Sequence, residues 1–436
     1  MQISKYNYIL YDANYSYWYN GLTHKHFRLS GALSKKLEQL LDNTDKLAIA
    51  VPDFYEKLKQ GGFIIDDSVD ELDIIRQKND ASIHSKDYYM IVLPTLDCNF
   101  KCWYCIQNHI PSKMSAETFE KLKRHIDYMI EEKEISSLHL DWFGGEPFMY
   151  FKEIIVPLSK YAINKCKEAN IPFQKCKEAN IPFQNTSTTN GYYIDESVAS
   201  QLEDLQFRHF QITLDGEQKE HDKVKFQNGC DSAFKHVLKN INYLLKKNPL
   251  ISLTLRINYT HQTLSANIVE QVNGLIDPEV RKQIGVALKK VWQERVDKSF
   301  ATAISDIMDL FEDSGYQVQR LNHNLHFIPC YANKEYYNAI NFNGNVVKCT
   351  ACDDLYNKNA LGKLTNQGTI EWNDGIDLKY QSKSFENSRC LKCKFLPLCM
   401  GLCPRNFLRG DTYCKYEGED MNLEYSLLNF LSHEYK

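Results

Sequence analysis

The stretch LDCNFKCWYC places Cys98, Cys102 and Cys105 within eight residues, in the spacing Cys-x3-Cys-x2-Cys. A structural zinc ion is closed by four ligands, often as two Cys-x2-Cys knuckles, so three thiolates on one loop suit zinc less well. Thiolates also hold iron–sulfur clusters, and a cubane with three protein ligands leaves one iron open to a small molecule. The loop therefore points to a metal centre with a free position.

Eleven of the fourteen cysteines fall in three patches: 98, 102 and 105; 330, 349 and 352; and 390, 393, 399, 403 and 414. Cys166, Cys176 and Cys230 stand apart from any ligand spacing. The start, MQISKYNYIL, has no basic segment leading into an apolar one, so it does not read as an export signal. The expected location is the cytoplasm, where cysteines are thiols or metal ligands rather than disulfides. A net charge of −4 gives no global basic field, and no apolar run nears the roughly 18 residues of a membrane span. Neither nucleic acid nor a membrane is an expected partner.

The 436 residues are 43% hydrophobic and 25% charged, enough for two or three soluble domains. Between about 88 and 320, β-rich runs alternate with helical patterns. The predicted strands are YYMIVL (88–93), LHLDWF (138–143), NTSTT (185–189), HFQITL (209–214), SLTLRIN (252–258) and GVALKKV (285–291). Phe119, Leu122, Ile126, Met129 and Ile130 mark one helical stripe; Phe234, Val237, Leu238, Ile241, Leu244 and Leu245 mark another. Six such units predict an α/β fold with a parallel sheet, a partial (β/α)6 barrel whose chemistry sits on loops leaving the strands' carboxyl ends. The cysteine loop leaves the first strand, where a site belongs.

The decapeptide KCKEANIPFQ occurs at 165–174 and again at 175–184. Two copies make no solenoid, and one is expected to be surplus to the sheet. Residues 1–84 read as a separate module. YNYILYDANYSYWYN suits a strand or hairpin, Leu33, Leu37, Leu40 and Leu41 a helix, and VPDFYEKLKQGGFIID a second helix from Pro52, ended by Gly61 and Gly62 before a β run. This composition suits a winged-helix-like module.

Taken together, these motifs resemble a family. CNFKCWYC is similar to the Cys-x3-Cys-x-aromatic-Cys loop of radical S-adenosylmethionine (SAM) enzymes, with Tyr104 at the aromatic position. The resemblance implies a 4Fe–4S cluster on Cys98, Cys102 and Cys105 whose free iron is chelated by SAM. One-electron cleavage then yields a 5′-deoxyadenosyl radical. WFGGEP (142–147) is similar to the family's GGEP motif, which implies Gly144, Gly145 and Glu146 as cofactor contacts, Glu146 accepting from the ammonium. TTNG (188–191) resembles the motif after strand three and implies Asn190. In ITLDGEQKEHDKVK (212–225), Thr213 and Lys225 stand where the family has a serine and an arginine that contact the cofactor. Lysine keeps the charge but lacks the bidentate fork. Asp215 and His221 read as local turn and capping groups.

The later cysteines resemble the SPASM domain, which carries two auxiliary 4Fe–4S clusters. The family pattern implies Cys390, Cys393, Cys399 and Cys414 for one cluster and Cys330, Cys349 and Cys403 for the other. Cys352 in KCTAC is the candidate fourth ligand of the latter, an open iron being the alternative. The expected domains are 1–84, a leader-peptide recognition module; 85–322, the radical SAM partial barrel; and 323–436, the SPASM domain.

SPASM enzymes mostly modify peptides. The resemblance therefore implies a maturase that installs a thioether or carbon–carbon crosslink in a ribosomally made precursor, its leader held by strand addition. A reductant such as flavodoxin or ferredoxin is implied as a partner. The first alternative is a sulfatase-maturing enzyme, whose catalytic aspartate follows the cysteine equivalent to Cys349. This chain has Thr350 there, with Asp353 and Asp354 displaced. The alternative from another class is a non-catalytic iron–sulfur electron carrier, which has no use for the GGEP and TTNG loops.

Overall fold

Hydrophobic runs that alternate with amphipathic helices build the central sheet. The computed structural model describes residues 1–169, 183–294, 300–319, 329–351, 360–381, 384–410, 414 and 423–435. Six parallel strands succeed one another: β1 (Asp87–Leu93), β2 (Ser137–Trp142), β3 (Phe183–Thr189), β4 (Phe207–Asp215), β5 (Ser252–Tyr259) and β6 (Ile284–Lys290). Each pairs with the next in chain order, with one register shift between β3 and β4 at Asn185/Thr186. All six predicted strands are present, within two residues at either end. The predicted helical stripes lie on α1 (Ala116–Glu131) and α2 (Ala233–Lys247). The Ser115 and Ser232 hydroxyls cap these helices by accepting from Thr118 and Lys235 N–H.

Strand order that follows chain order, joined by right-handed crossovers, places the helices on one face. The core agrees. Tyr88, Met90 and Val92 of β1 share a buried cluster with Leu122 and Ile126 of α1 and Val237 and Ile241 of α2. Alternate residues point the other way. Ile91 and Leu93 form an apolar patch there, whereas β2 to β6 present His139, Asp141, Thr186, His209, Thr213, Arg256 and Lys289 in the alternate register. A singly wound sheet with one polar face can enclose polar chemistry.

The sheet runs beyond the six strands. Gln317–Val318 adds in parallel to β6, and Tyr337–Asn341 adds in parallel to β1. Three short strands, Asn345–Val347, Gly362–Leu364 and Ile370–Trp372, continue it antiparallel. The described residues of 336–378, expected within the C-terminal domain, thus belong to the central unit of Lys86–Gln319 and Tyr336–Leu378. Ladder pairing to β1 decides this, and periodicity within 323–436 carries no trace of it.

The second unit comprises the described parts of residues 1–85, 320–335 and 379–436. Three antiparallel strands (Asn7–Tyr11, Tyr15–Asn20, His26–Ser30) precede helices Gly31–Leu41, Thr44–Ala50 and Pro52–Gln60. Gly62 then turns at φ +76°, and Ile64–Ile65 pairs with Gln2–Ile3. The expected hairpin and both expected helices are there. The N-terminal segment does not stand alone, however. Tyr8 and Tyr17 share a core with Leu427 and Leu431, and Tyr6 with Leu396 and Met400. The Tyr8 hydroxyl donates to Lys394 O at 2.7 Å.

The two decapeptides bracket a junction. The first begins in helix Val156–Glu168, with Cys166 fully buried, and the second ends in β3 at Phe183 and Gln184. The residues between lie outside the described set, as does Cys352. Among the described residues no helix is long and apolar enough to cross a membrane.

Candidate active site at the carboxyl ends of the strands

Backbone packing between two loops builds the site. After β1 the chain enters the cysteine loop; after β2 it enters Phe143–Glu146. Gly145 N–H donates to Thr95 O (3.1 Å) and Glu146 N–H to Asp97 O (2.8 Å), lacing the second loop to the residues just before Cys98. Gly144 sits at φ +130°. A Cβ at Gly145 would lie 2.5 Å from the Asp97 carbonyl carbon and 2.7 Å from that of Leu96. The two glycines are therefore required by the approach of backbone to backbone. The sequence motif alone pointed to the approach of a ligand.

The three thiols are neighbours: Cys102 and Cys105 both raise the Cys98 thiol, and Cys105 raises Cys102. Burial, the larger cause, pushes Cys98 up to about 12, with Glu146, Cys102 and Cys105 adding to it. Burial also raises Cys102 and Cys105. Donors converge on the sulfurs. Phe100 N–H donates to Cys98 Sγ at 3.4 Å and Asn190 Nδ2 points to it at 3.8 Å, while the backbone N–H of Gln107 serves Cys105. Three thiols on one partly exposed loop, with N–H donors aimed at Cys98 and Cys105, fit an iron–sulfur cluster, because metal charge stabilises the thiolates and the donors share their density.

Glu146 is fully buried. Its Oε1 accepts from Phe148 N–H (3.0 Å) and the Thr189 hydroxyl (2.7 Å), and Oε2 from Asn190 N–H (2.8 Å). Burial still pushes it up to about 6, despite these donors. The TTNG loop is thus tied to the GGEP loop through this carboxylate. Asn190 also reaches the cysteine loop, its Nδ2 donating to Asn99 Oδ1 at 2.8 Å. Replacing Thr189 by valine removes one donor at constant shape. It is expected to destabilise the protein by about 1–3 kcal/mol and to push Glu146 further up. A raised acid costs stability only where it is ionised, so the loss read from denaturant unfolding should be larger at pH 7 than at pH 5.

At the end of β4 a second network holds Tyr104. Its hydroxyl donates to Asp215 Oδ1, which also accepts from Asn258 Nδ2 at 3.2 Å. Burial, with Asp215 alongside, raises Tyr104 far above the ordinary phenol range. Asp215 Oδ2 pairs with Lys225 Nζ at 3.4 Å, and Lys225, 3% exposed, also donates to Thr213 O. His221 Nδ1 accepts from Asp215 N–H at 3.2 Å, which makes it a local turn-capping group as its spacing predicts. Arg256 on β5, opposite Thr213 in the ladder, escaped the sequence reading; a lone arginine in an alternating strand carries no motif.

Of the later cysteines, Cys390, Cys393 and Cys414 lie in one neighbourhood, since the latter two raise the Cys390 thiol after burial itself. Cys393 N–H bonds back to Cys390 O at 3.0 Å, and Cys399 ends a short helix before Met400 in the left-handed region. Cys403 precedes helix Pro404–Leu408. Cys330 is exposed in this unit, and Cys349 is buried in the central one.

Comparison with known proteins follows the same outline. The Radical SAM superfamily model matches residues 92–265. The radical SAM cyclopropyl synthase TigE of Paramaledivibacter caminithermalis is 23% identical over 398 residues, 83% of this chain and 77% of that protein. Among solved structures, SuiB of Streptococcus suis bound to precursor peptide SuiA superposes with a TM-score of 0.51 at 16% identity, covering 94% of this chain and 96% of that one. Native anSMEcpe with bound AdoMet gives 0.51 at 18%, covering 80% and 96%. These likenesses establish the fold.

Proposed function

We propose that this chain, whose residues 92–265 form a Radical SAM domain, is a peptide maturase that installs a thioether or carbon–carbon crosslink in a ribosomally synthesised precursor. The carrying observation is the lacing of the cysteine loop to the GGEP loop at the carboxyl ends of β1 and β2. An electron carrier has no need of that arrangement. When bound, a 4Fe–4S cluster and SAM supply one-electron cleavage and a carbon radical able to take hydrogen from the substrate. Cys98, Cys102 and Cys105 would hold the cluster; Gly144, Gly145, Glu146, Asn190 and Thr213 would shape the cofactor's bed. Cys390, Cys393, Cys399 and Cys414, with Cys330, Cys349, Cys403 and Cys352, would hold two auxiliary clusters. Flavodoxin or ferredoxin would reduce them.

Peptide as substrate rests on the relatives and on the N-terminal strands. SuiB is seen with its precursor peptide, and anSMEcpe with a bound Cp18Cys peptide. In this chain, His26–Ser30 pairs on one side only among the described residues. Asn20 N–H bonds Lys25 O and Gly31 N–H bonds Asn14 O. Antiparallel alternation then turns the amides of His26, Arg28 and Ser30 outward, ready to pair with an extended leader.

Arg28→Pro removes one outward amide at an edge position that tolerates proline. Binding of a synthetic precursor leader should fall about tenfold, while Arg28→Ala, which keeps the amide, binds near wild type. Equal binding by the proline variant would refute strand addition at this edge. Deleting residues 1–84 is the poorer test, because Tyr8 and Lys5 bond the backbone of Lys394 and Leu391 beside Cys393.

A further inference from the structure

SAM carries an amino-acid end whose carboxylate needs a cation inside a low-dielectric site. Sequence position pointed to Lys225. In the structure Lys225 is committed elsewhere: its ammonium pairs with Asp215 and donates to Thr213 O, at 3% exposure. Moving it toward the cofactor would strand Asp215, a buried carboxylate, without its cation.

The neighbouring strand offers a better group. Thr213 on β4 stands opposite Arg256 on β5 in the parallel ladder, and Asp215 opposite Asn258. Adjacent strands lie about 4.8 Å apart, so the Thr213 hydroxyl and the Arg256 guanidinium share one patch of the sheet's polar face. Among the described residues Arg256 spends only Nε, which donates to Asn258 Oδ1 at 2.9 Å. That bond orients the guanidinium and leaves its two terminal amino groups as a fork suited to a carboxylate. Asn258 in turn donates to Asp215, which holds the Tyr104 hydroxyl. The arginine is thereby connected to the cysteine loop through three side chains. Tyr104 and Asp215 both act on its charge, opposing the lowering caused by burial. Lys289 on β6, opposite Asn258, adds positive potential to the same patch.

Resting on the Radical SAM reading, we infer that Arg256, with the Thr213 hydroxyl beside it, anchors the SAM carboxylate, and that Lys225 is the internal counter-ion of Asp215. Lysine at position 225 is then no weakness of the site. The bidentate fork has moved to the adjacent strand.

The test is equilibrium binding, without reductant, of SAM and of decarboxylated SAM to the iron-reconstituted full chain. Glutamine at 256 keeps a donor for Asn258 and removes the charged fork. In Arg256→Gln, SAM affinity should fall about 10- to 100-fold, the range for a charge-assisted hydrogen bond, while decarboxylated SAM binds as to wild type. Arg256→Lys should fall between. The assignment is overturned if the preference for SAM survives in Arg256→Gln, or if both compounds weaken equally, which would mark a structural role or a carboxylate of the peptide as the partner. Failure of wild type to bind SAM at all would overturn the Radical SAM reading as well.

Discussion

Replacing Cys98, Cys102 and Cys105 together by alanine should abolish reductive cleavage of SAM while keeping about eight of roughly twelve irons per chain, four for each of three cubanes. The three cysteines share one loop, and Cys102 and Cys105 both raise the Cys98 thiol. Among the described residues no other cysteine of the central unit stands in that loop; Cys166 is buried in helix Val156–Glu168 and Cys230 follows helix Gln218–Val224. The cysteines at 390, 393, 399, 403 and 414 lie in the second unit. Anaerobic reconstitution with iron and sulfide analysis reads the first number, and 5′-deoxyadenosine by chromatography reads the second. Cleavage by the triple variant would remove this loop from the chemistry.

Gly145→Ala is expected to be nearly as damaging, although residue 145 carries no ligand. The new Cβ would meet the backbone of Leu96 and Asp97, not a side chain that can rotate away. Relief requires the cysteine loop or the GGEP loop to move, breaking the bonds from Gly145 N–H to Thr95 O and from Glu146 N–H to Asp97 O. Overpacking against fixed backbone, with two hydrogen bonds lost, costs at least about 3 kcal/mol, concentrated where the cysteines must converge. The variant should lose about four irons and all SAM cleavage. Gly315→Ala is the control: its φ is also positive, at +93°, but nothing lies within 4 Å of the added Cβ. It should cost about 1 kcal/mol and leave iron content unchanged. Full iron content in Gly145→Ala would show that the two loops are not interlocked.

Local sequence determined a great deal here. Alternation and β-branching placed all six strands because each repeats its own period over five residues or more, and the Cys-x3-Cys-x2-Cys loop is legible because its ligands are neighbours in the chain. The duplication and the separate cysteine patches are equally plain. Pairings between distant segments left no such mark. Tyr337–Asn341 reads as any short β run, and only its ladder with β1 assigns the described residues of 336–378 to the central unit. Tyr6, Tyr8 and Tyr17 announce a hairpin, but not that its buried face is completed by Leu396, Leu427 and Leu431. At the site, sequence singled out Gly145 and Lys225 as cofactor contacts, and tertiary structure decided what each touches: the backbone before Cys98 in one case, Asp215 in the other. A residue's type fixes what it can bind, whereas which partner lies within reach depends on strand register and loop packing, and those are settled only when the whole sheet forms.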